Sequence, residues 1–174
     1  GPWAIPGSEL LIFPGVIGFA LGLLSLPFLG ISRTKSGATF FALGGFSLLL
    51  SMIIGAVVGS QLRMLAFGLA ANRARPLIVA IQKFEADNAR PPASFTEVVP
   101  RYIPKVPRGL PSMELVSGEK ATKGYFGNPW VLQADVGTGF LNWDVFVYFP
   151  KQNYPIRGFG GSREAIKDWA YYHE

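Results

Sequence analysis

Residues 38–59 read ATFFALGGFSLLLSMIIGAVVG, and no charged side chain occurs from residue 38 to residue 62. A second charge-free stretch precedes it over residues 10–31, LLIFPGVIGFALGLLSLPFLGI. As a helix, each stretch is long enough to cross a hydrocarbon core of about 30 Å. The pattern therefore predicts a membrane protein with two transmembrane helices, and it excludes a purely soluble chain.

The two predicted spans are joined by only six residues, Ser32–Gly37, which predicts an antiparallel helix hairpin. Both spans carry pairs of glycines four residues apart, a spacing that lets membrane helices approach closely. We expect these glycines to lie on packed faces, against each other or against another subunit. The alternative is that glycine is simply common in membrane helices. The residues are Gly18, Gly22, Gly55 and Gly59.

Basic residues lie on both sides of the second span, and they do not orient it. Arg33 and Lys35 favour a cytoplasmic location for the connecting loop, because cytoplasmic loops are enriched in Lys and Arg. Three arginines follow the span and oppose that orientation. We expect them to contact lipid headgroups or, alternatively, an acidic partner surface. They are Arg63, Arg73 and Arg75.

The remainder of the chain is nearly balanced in charge. Residues 72–174 hold 13 Lys and Arg against 10 Asp and Glu, without the clustered basic face of a nucleic-acid-binding protein. The chain has no cysteine, which excludes disulfides, Cys-based zinc sites and thiol catalysis. Its single histidine, His173, argues against a Ser-His-Asp triad or a multi-histidine metal site. We therefore expect neither an enzyme nor a nucleic-acid partner.

The chain after the second span keeps a helical pattern, which Pro76 is expected to interrupt because it lacks an N–H group. Beyond it, Leu77, Ile81 and Phe84 share one face and predict an amphipathic helix. Ser94–Glu97 has the spacing of a capping box and predicts a short second helix.

The C-terminal half has mostly strand character. Aromatic and β-branched enrichment predicts strands over residues 113–116, 130–134 and 144–149, with a hairpin connection through residues 135–139. Residues 163–172 are predicted to form a short terminal helix with Ser162 as its N-cap, because Ile166, Trp169 and Ala170 share a helical face.

Three segments in a fixed order resemble a known family. Residues 81–92 read IQKFEADNARPP, residues 95–107 read FTEVVPRYIPKVP, and residues 127–130 read GNPW before a predicted hairpin. Over about residues 62–150 the chain resembles the extracytoplasmic domain of type II secretion major pseudopilins and related type IV pilin-like proteins. The resemblance implies a helical spine packed on a small antiparallel sheet. It also implies a bacterial inner-membrane protein whose C-terminal domain is periplasmic, with the connecting loop inside.

The expected fold class is thus membrane α plus a small α+β domain, with a transmembrane hairpin over residues 1–61 and a pseudopilin-like domain over residues 62–174. Family members carry one membrane helix, whereas two are predicted here. A second membrane helix would obstruct the helical packing of a pilus, so we expect the domain to act as a fixed module.

Oxygen-bearing side chains bracket the predicted hairpin. Asp135, Asn142 and Asp144 are calcium candidates, because carboxylate and amide oxygens suit this cation and pseudopilins often bind calcium in their β-region loops. The alternative is that these side chains cap turns by bonding nearby backbone N–H groups. Only three such side chains are evident where calcium takes six or more oxygens, so no cofactor is expected.

Aromatic residues make up 14% of the chain, and those after residue 124 exceed what a three-strand sheet and a short helix can easily bury. The alternative for most of them is that they alternate into the core. Surplus exposed rings would form a docking surface, since aromatic residues are enriched at interface hot spots. The candidates are Tyr154, Phe159 and Trp169, which lie beyond the pilin-like region.

These features together predict a non-enzymatic accessory or scaffolding subunit of a larger membrane complex, respiratory, photosynthetic or secretory. Its partners would be integral membrane subunits and lipid. One alternative is a pseudopilin-related component of a type II secretion or type IV pilus machine. Another is a calcium- or ligand-binding sensor domain.

Overall fold

The structure is a computed structural model, and it describes residues 35–137 and 144–173. These residues fall into two compact units that divide between Arg63 and Met64. A long apolar helix is followed by a small antiparallel sheet, which is the coarse architecture that the sequence predicts. The predicted first span, residues 10–31, lies outside the described residues, so the two-helix hairpin stays a prediction.

Helix α1 (Lys35–Asn88) is 54 residues long and contains the second predicted span. In the described part of the chain it is the one helix long and apolar enough to cross a membrane, judged by length and composition alone. Two of its serine hydroxyls bond within the helix: Ser51 Oγ donates to the carbonyl of Ser47 at 2.9 Å, and Ser60 Oγ to that of Val57 at 2.8 Å. These polar groups therefore need no partner outside the helix.

Pro76 does not interrupt α1, contrary to the prediction. Its ring is exposed, while Ala74, Leu77 and Ile78 on either side are buried. Because both flanking turns pack into the same core, tertiary packing holds the helix through a position where proline removes a backbone hydrogen bond. Local sequence preference is outweighed here by burial.

The stretch of α1 after Met64 packs one stripe of side chains into the core. The predicted amphipathic face of Leu77, Ile81 and Phe84 is confirmed, and the stripe extends back to Phe67. The spacing alternates between three and four residues, as one face of a helix requires. Buried members of the stripe are Phe67, Ala70, Ala71, Ala74, Leu77, Ile78, Ala80, Ile81 and Phe84.

Six strands form one antiparallel sheet in the described residues, in the order β1-β2-β3-β6-β5-β4. The three predicted strands are present with no end shifted by more than one residue: β1 (Glu114–Ser117), β2 (Trp130–Asp135) and β3 (Val145–Tyr148). The others are β4 (Arg157–Gly158), β5 (Gly161–Ile166) and β6 (Trp169–His173). The hairpin pairing of β2 with β3 is as predicted.

The predicted terminal helix over residues 163–172 is wrong, because this segment forms the hairpin β5–β6. Ile166 pairs with Trp169 across a two-residue turn in which Lys167 has a φ of 57°. Strand β6 lies between β3 and β5, and its side chains alternate between two buried clusters, one on each face of the sheet. Trp169 and Tyr171 join the core that contains α1, and Ala170 and Tyr172 join a second core cluster.

That second core cluster covers the face of the sheet opposite α1. It contains Val131 of β2 and Val147 of β3, and it is covered by helix α3 (Gly118–Gly124) together with the segment after β3. Because both sheet faces are covered, the sheet buries more aromatic residues than a sheet with one solvated face.

A short helix, α2 (Phe95–Val98), begins where the capping box was predicted, but its caps differ from the prediction. Ser94 makes no side-chain cap bond to the backbone, and its hydroxyl is 2.6 Å from that of Thr96. Glu97 accepts from the Ala93 N–H at 2.7 Å and also pairs with Arg90. In a capping box the Glu97 carboxylate would accept from the Ser94 N–H. Here it accepts from Arg90 and from the Ala93 N–H instead.

Candidate functional site

The main candidate for a functional surface is the set of exposed apolar side chains on α1 from Leu43 to Leu62, called here the apolar helix surface. Its members are 48–66% exposed. An added Cβ at Gly55 would meet no atom within 4 Å, so among the described residues nothing packs on that position. The members are Leu43, Phe46, Leu48, Leu50, Ile53, Ile54, Val57, Val58 and Leu62.

Two of the four predicted packing glycines, Gly55 and Gly59, lie among the described residues. Gly55 is exposed and Gly59 is half-buried. Gly18 and Gly22 lie outside the described residues. Packing at these four positions, against the predicted first span or another subunit, stays a prediction.

The three arginines after the apolar helix surface have different surroundings. Arg63 is half-buried, whereas Arg73 and Arg75 are exposed. Arg73 Nη1 donates to the carbonyl of Gly109 at 3.3 Å, which ties a proline-rich loop to α1. Gly109 has a φ of 72°, a conformation that side chains other than glycine rarely adopt, so glycine suits this position.

The calcium candidates have structural roles where they can be seen. Asp135 Oδ1 accepts from the Gly137 N–H at 3.1 Å, the turn-capping alternative considered for this residue. Asp144 is fully buried, and Tyr171 Oη donates to its Oδ2. Asn142 lies outside the described residues. Within the described ranges, no three His, Cys, Asp or Glu side chains group closely enough to hold a metal ion.

The structure corrects the premise that three aromatic rings stand outside the core. Trp169 is 1% exposed and stacks on Phe146, with ring centroids 4.6 Å apart. Tyr154 and Phe159 are half-buried and pack against the second core cluster. The reason is that the sheet has six strands and two covered faces, so it needs these rings. Their role in docking stays a prediction.

Tyr154 is held at both ends of its side chain. Its ring stacks on Phe149 at 4.8 Å. Its hydroxyl donates to the carbonyl of Asp168 at 2.7 Å and accepts from the Phe149 N–H at 2.8 Å. Burial raises the pKa of the Tyr154 phenol well above its ordinary value. Burial likewise raises the phenol pKa of Tyr125, Tyr148 and Tyr172.

Sequence reasoning missed the role of Asn128, the second residue of the GNPW motif. Asn128 is fully buried, and its Nδ2 donates to the carbonyl of Tyr125 and to Asn153 Oδ1, both at 2.7 Å. Its Oδ1 accepts from the Lys151 N–H at 3.1 Å. The amide thus joins the loop before β2 to the segment after β3. The sequence signal for this role was a polar residue between Gly127 and Pro129, directly before a predicted strand.

His173 lies on the last described strand, where Nε2 is 3.7 Å from Glu164 Oε2. Both side chains are more than one-third exposed.

Comparison with known proteins returned no relative: no protein-family model, no curated protein and no solved structure matches this chain. Functional inference therefore relies on the residues and their geometry.

Proposed function

We propose that this protein is a membrane-anchored, non-enzymatic accessory or scaffolding subunit of a larger membrane complex. The observation that carries the proposal is the change of environment along α1. From Leu43 to Leu62 nine of its large apolar side chains are exposed, whereas from Phe67 to Phe84 one face is buried in a folded domain. One helix thus provides both an unburied apolar segment and the spine of a polar domain.

Burial of the apolar helix surface against lipid or protein is strongly favoured over its exposure to water. Burying one large apolar side chain is worth about 1.5–3 kcal/mol, and this surface has nine of them at about half exposure. Contiguous apolar patches of this kind mark membrane or protein interfaces. A charge-free segment with internally bonded serines suits hydrocarbon, so lipid and neighbouring membrane helices are the proposed cover.

The proposal extends to the predicted first span and to the orientation. Residues 10–31 would form the other arm of a hairpin, in a multi-pass protein of the bacterial inner membrane. The domain after Met64 would be periplasmic, as the pseudopilin resemblance implies. Integral membrane subunits are the proposed partners, reached by glycine faces such as that of Gly55.

The non-enzymatic part of the proposal is supported by the structural roles of the buried polar groups. Asn128 and Tyr154 each bond to backbone groups of two segments. Asp144 accepts from Tyr171 inside the core. These groups are engaged in holding loops and strands together, which suits a rigid docking module. Calcium binding through Asp135, Asn142 and Asp144 stays the weaker alternative.

A pseudopilin-related component of a type II secretion or type IV pilus machine is the second candidate. It is favoured by the packing of α1 on an antiparallel sheet, the arrangement that the resemblance implies. The two candidates differ in their partners: the second predicts association with secretion or pilus proteins, whereas the first allows a respiratory or photosynthetic host.

Cysteine accessibility tests the membrane topology cleanly, because the chain has no cysteine of its own. Ser51→Cys lies in the apolar helix surface, and Lys120→Cys lies on the exposed helix α3. In intact spheroplasts a membrane-impermeant maleimide should label Lys120→Cys and leave Ser51→Cys unlabelled until detergent is added. Equal labelling of both would contradict the membrane anchor, and labelling of Lys120→Cys only after lysis would contradict the periplasmic domain.

Purification from native membranes, with mass spectrometry of the co-eluting subunits, tests the accessory role. Gly55→Leu should reduce recovery of the partner subunits, because the larger side chain prevents close helix approach. Val58→Leu, also on the apolar helix surface, is the matched control and should not. Absence of any co-eluting membrane subunit would overturn the accessory role, and co-eluting secretion or pilus proteins would favour the second candidate.

A further inference from the structure

Four exposed basic residues from three separate segments lie near one level of α1, in the stretch that packs on the sheet. Lys167, in the β5–β6 turn, donates from Nζ to Asn72 Oδ1 at 2.5 Å. Arg73 reaches the carbonyl of Gly109, which brings the preceding Arg108 to the same level of the helix. Arg75 lies less than one turn further along. We call this group the basic collar: Arg73, Arg75, Arg108 and Lys167, all exposed.

Few acidic residues lie near the basic collar in the sequence. Helix α1 has no Asp or Glu between Met64 and Phe84, and residues 98–113, the loop that contains Arg108, have none either. Asp168 follows Lys167 in the turn and offsets one of the four positive charges. Guanidinium and ammonium groups carry five and three N–H donors, and each bond described above uses one of them. The basic collar therefore keeps a net positive charge and spare donors.

Exposed leucines lie directly before the basic collar. Leu65 and Leu69 are 66% and 54% exposed, and they precede Asn72 by seven and three residues, which places them on its face of the helix. Along this face the exposed side chains thus change over about two turns from leucines to Asn72, which binds Lys167, with Arg73 and Arg75 on either side of it. Where a helix crosses from hydrocarbon to headgroups, apolar side chains lie in the hydrocarbon and long basic side chains place their charged ends among the headgroups.

We infer that the basic collar binds anionic phospholipid headgroups at the surface of the bilayer that α1 enters. The inference rests on the proposed function, since it requires α1 to be inserted in a membrane. Phosphate groups match the donors and the charge of the basic collar. Removing one basic residue near an anionic surface should weaken its binding about fivefold.

The test uses the full chain in nanodiscs of phosphatidylcholine with increasing fractions of phosphatidylglycerol, some of it carrying a headgroup nitroxide quencher. A fluorophore on Ser112→Cys reports the distance of the loop from the headgroups. The triple variant Arg75→Gln, Arg108→Gln, Lys167→Gln removes charge and keeps Arg73, which positions the loop. A charge-matched control changes exposed residues elsewhere on the domain: Lys120→Gln, Lys123→Gln, Arg157→Gln.

Quenching should rise with phosphatidylglycerol in the starting chain and in the control, and fall with added salt. In the triple variant, the fraction of phosphatidylglycerol needed for half-maximal quenching should rise at least fivefold. Quenching that is independent of phosphatidylglycerol, or equal in all variants, would overturn the collar inference while leaving the anchor intact. Failure of the chain to co-elute with nanodiscs would overturn the anchor and the collar together. Loss of a co-purifying subunit in the triple variant, with lipid response unchanged, would assign the collar to an acidic protein surface instead.

Discussion

Trp130 Nε1 donates a hydrogen bond to Glu85 Oε2 at 3.0 Å, and it thereby ties the first residue of β2 to the last turns of α1. The Trp130 ring is fully buried in the core that α1 shares with the sheet. We expect Glu85→Ala to lower the free energy of unfolding by about 1–3 kcal/mol, because it leaves a buried N–H without its acceptor. Chemical denaturation in micelles, followed by near-ultraviolet circular dichroism, measures the change.

Glu85→Gln is the matched control, since its amide oxygen can accept the same bond. It should retain most of the stability that Glu85→Ala loses. If both variants are as stable as the starting chain, this hydrogen bond does not contribute to the attachment of the helix to the sheet.

The pair of Arg90 and Glu97 predicts a dependence of stability on acid pH. Two bonds of 2.8 and 3.0 Å from Arg90, and the Ala93 N–H, lower the pKa of Glu97 to about 2. Because the folded-state pKa lies below the unfolded one, this stabilisation is present above about pH 4.5 and is lost as pH falls toward 2.

Melting temperatures between pH 7 and pH 2 check this prediction. Glu97→Gln should have a smaller fall in melting temperature below pH 4.5 than the starting chain, and added salt should reduce the difference because the pair is exposed. The Arg90→Gln variant should likewise have a smaller fall in melting temperature below pH 4.5. Parallel melting curves for all three chains would contradict the assignment.

Tyr154 predicts that the stability of the domain falls as pH rises into the alkaline range. Its phenol pKa is raised by burial, so the folded state favours the protonated form, and its stabilisation is lost as pH rises above about 10. Tyr154→Phe should remove this alkaline component and lower the free energy of unfolding by about 1–3 kcal/mol, because the Phe149 N–H loses its acceptor.

Tyr125→Phe serves as the comparison, because its hydroxyl bonds only the side chain of Gln133 among the contacts described. It should cost less stability than Tyr154→Phe. A Tyr154→Phe chain as stable as the starting chain would mean that the two hydroxyl bonds of Tyr154 do not contribute to the stability of the domain.

Periodicity in the sequence predicted the elements whose local pattern and tertiary environment agree. Strands β2 and β3 carry β-branched and aromatic residues, and their predicted ends are within two residues of those in the structure. The buried stripe of α1 was likewise visible at Leu77, Ile81 and Phe84. In each case one pattern was present without a competing one.

Patterns that fit two structures were misread. Ile166, Trp169 and Ala170 have helical spacing, yet the run from Trp169 to His173 is also an aromatic strand, and its turn lacks the Asn-Gly pair typical of two-residue hairpins. Arg73 and Arg75 were predicted as contacts for headgroups or a partner, but Lys167 could not be placed beside them, because it is 95 residues from Asn72 in the sequence and only the sheet topology joins the two.

The last prediction concerns Gly161, at the start of β5. An added Cβ there would lie 2.2 Å from the backbone oxygen and 2.5 Å from the carbonyl carbon of His173. Backbone atoms in a paired strand cannot move aside as a flexible side chain can, so Gly161→Ala should force the end of the β5–β6 pairing open. We expect a loss of about 1–3 kcal/mol in the free energy of unfolding, the usual cost of overpacking.

Gly124→Ala is the matched control for this substitution. Gly124 lies in α3, its φ is not in the left-handed region, and an added Cβ would meet nothing within 4 Å. The change should be neutral or stabilise the domain by up to about 1 kcal/mol, because alanine restricts the unfolded chain. Hydrogen exchange should locate the effect of Gly161→Ala in the pairing of Ser162 with His173, with β2 and β3 still protected. Equal stability of the two variants would mean that β5 does not approach His173 this closely in solution.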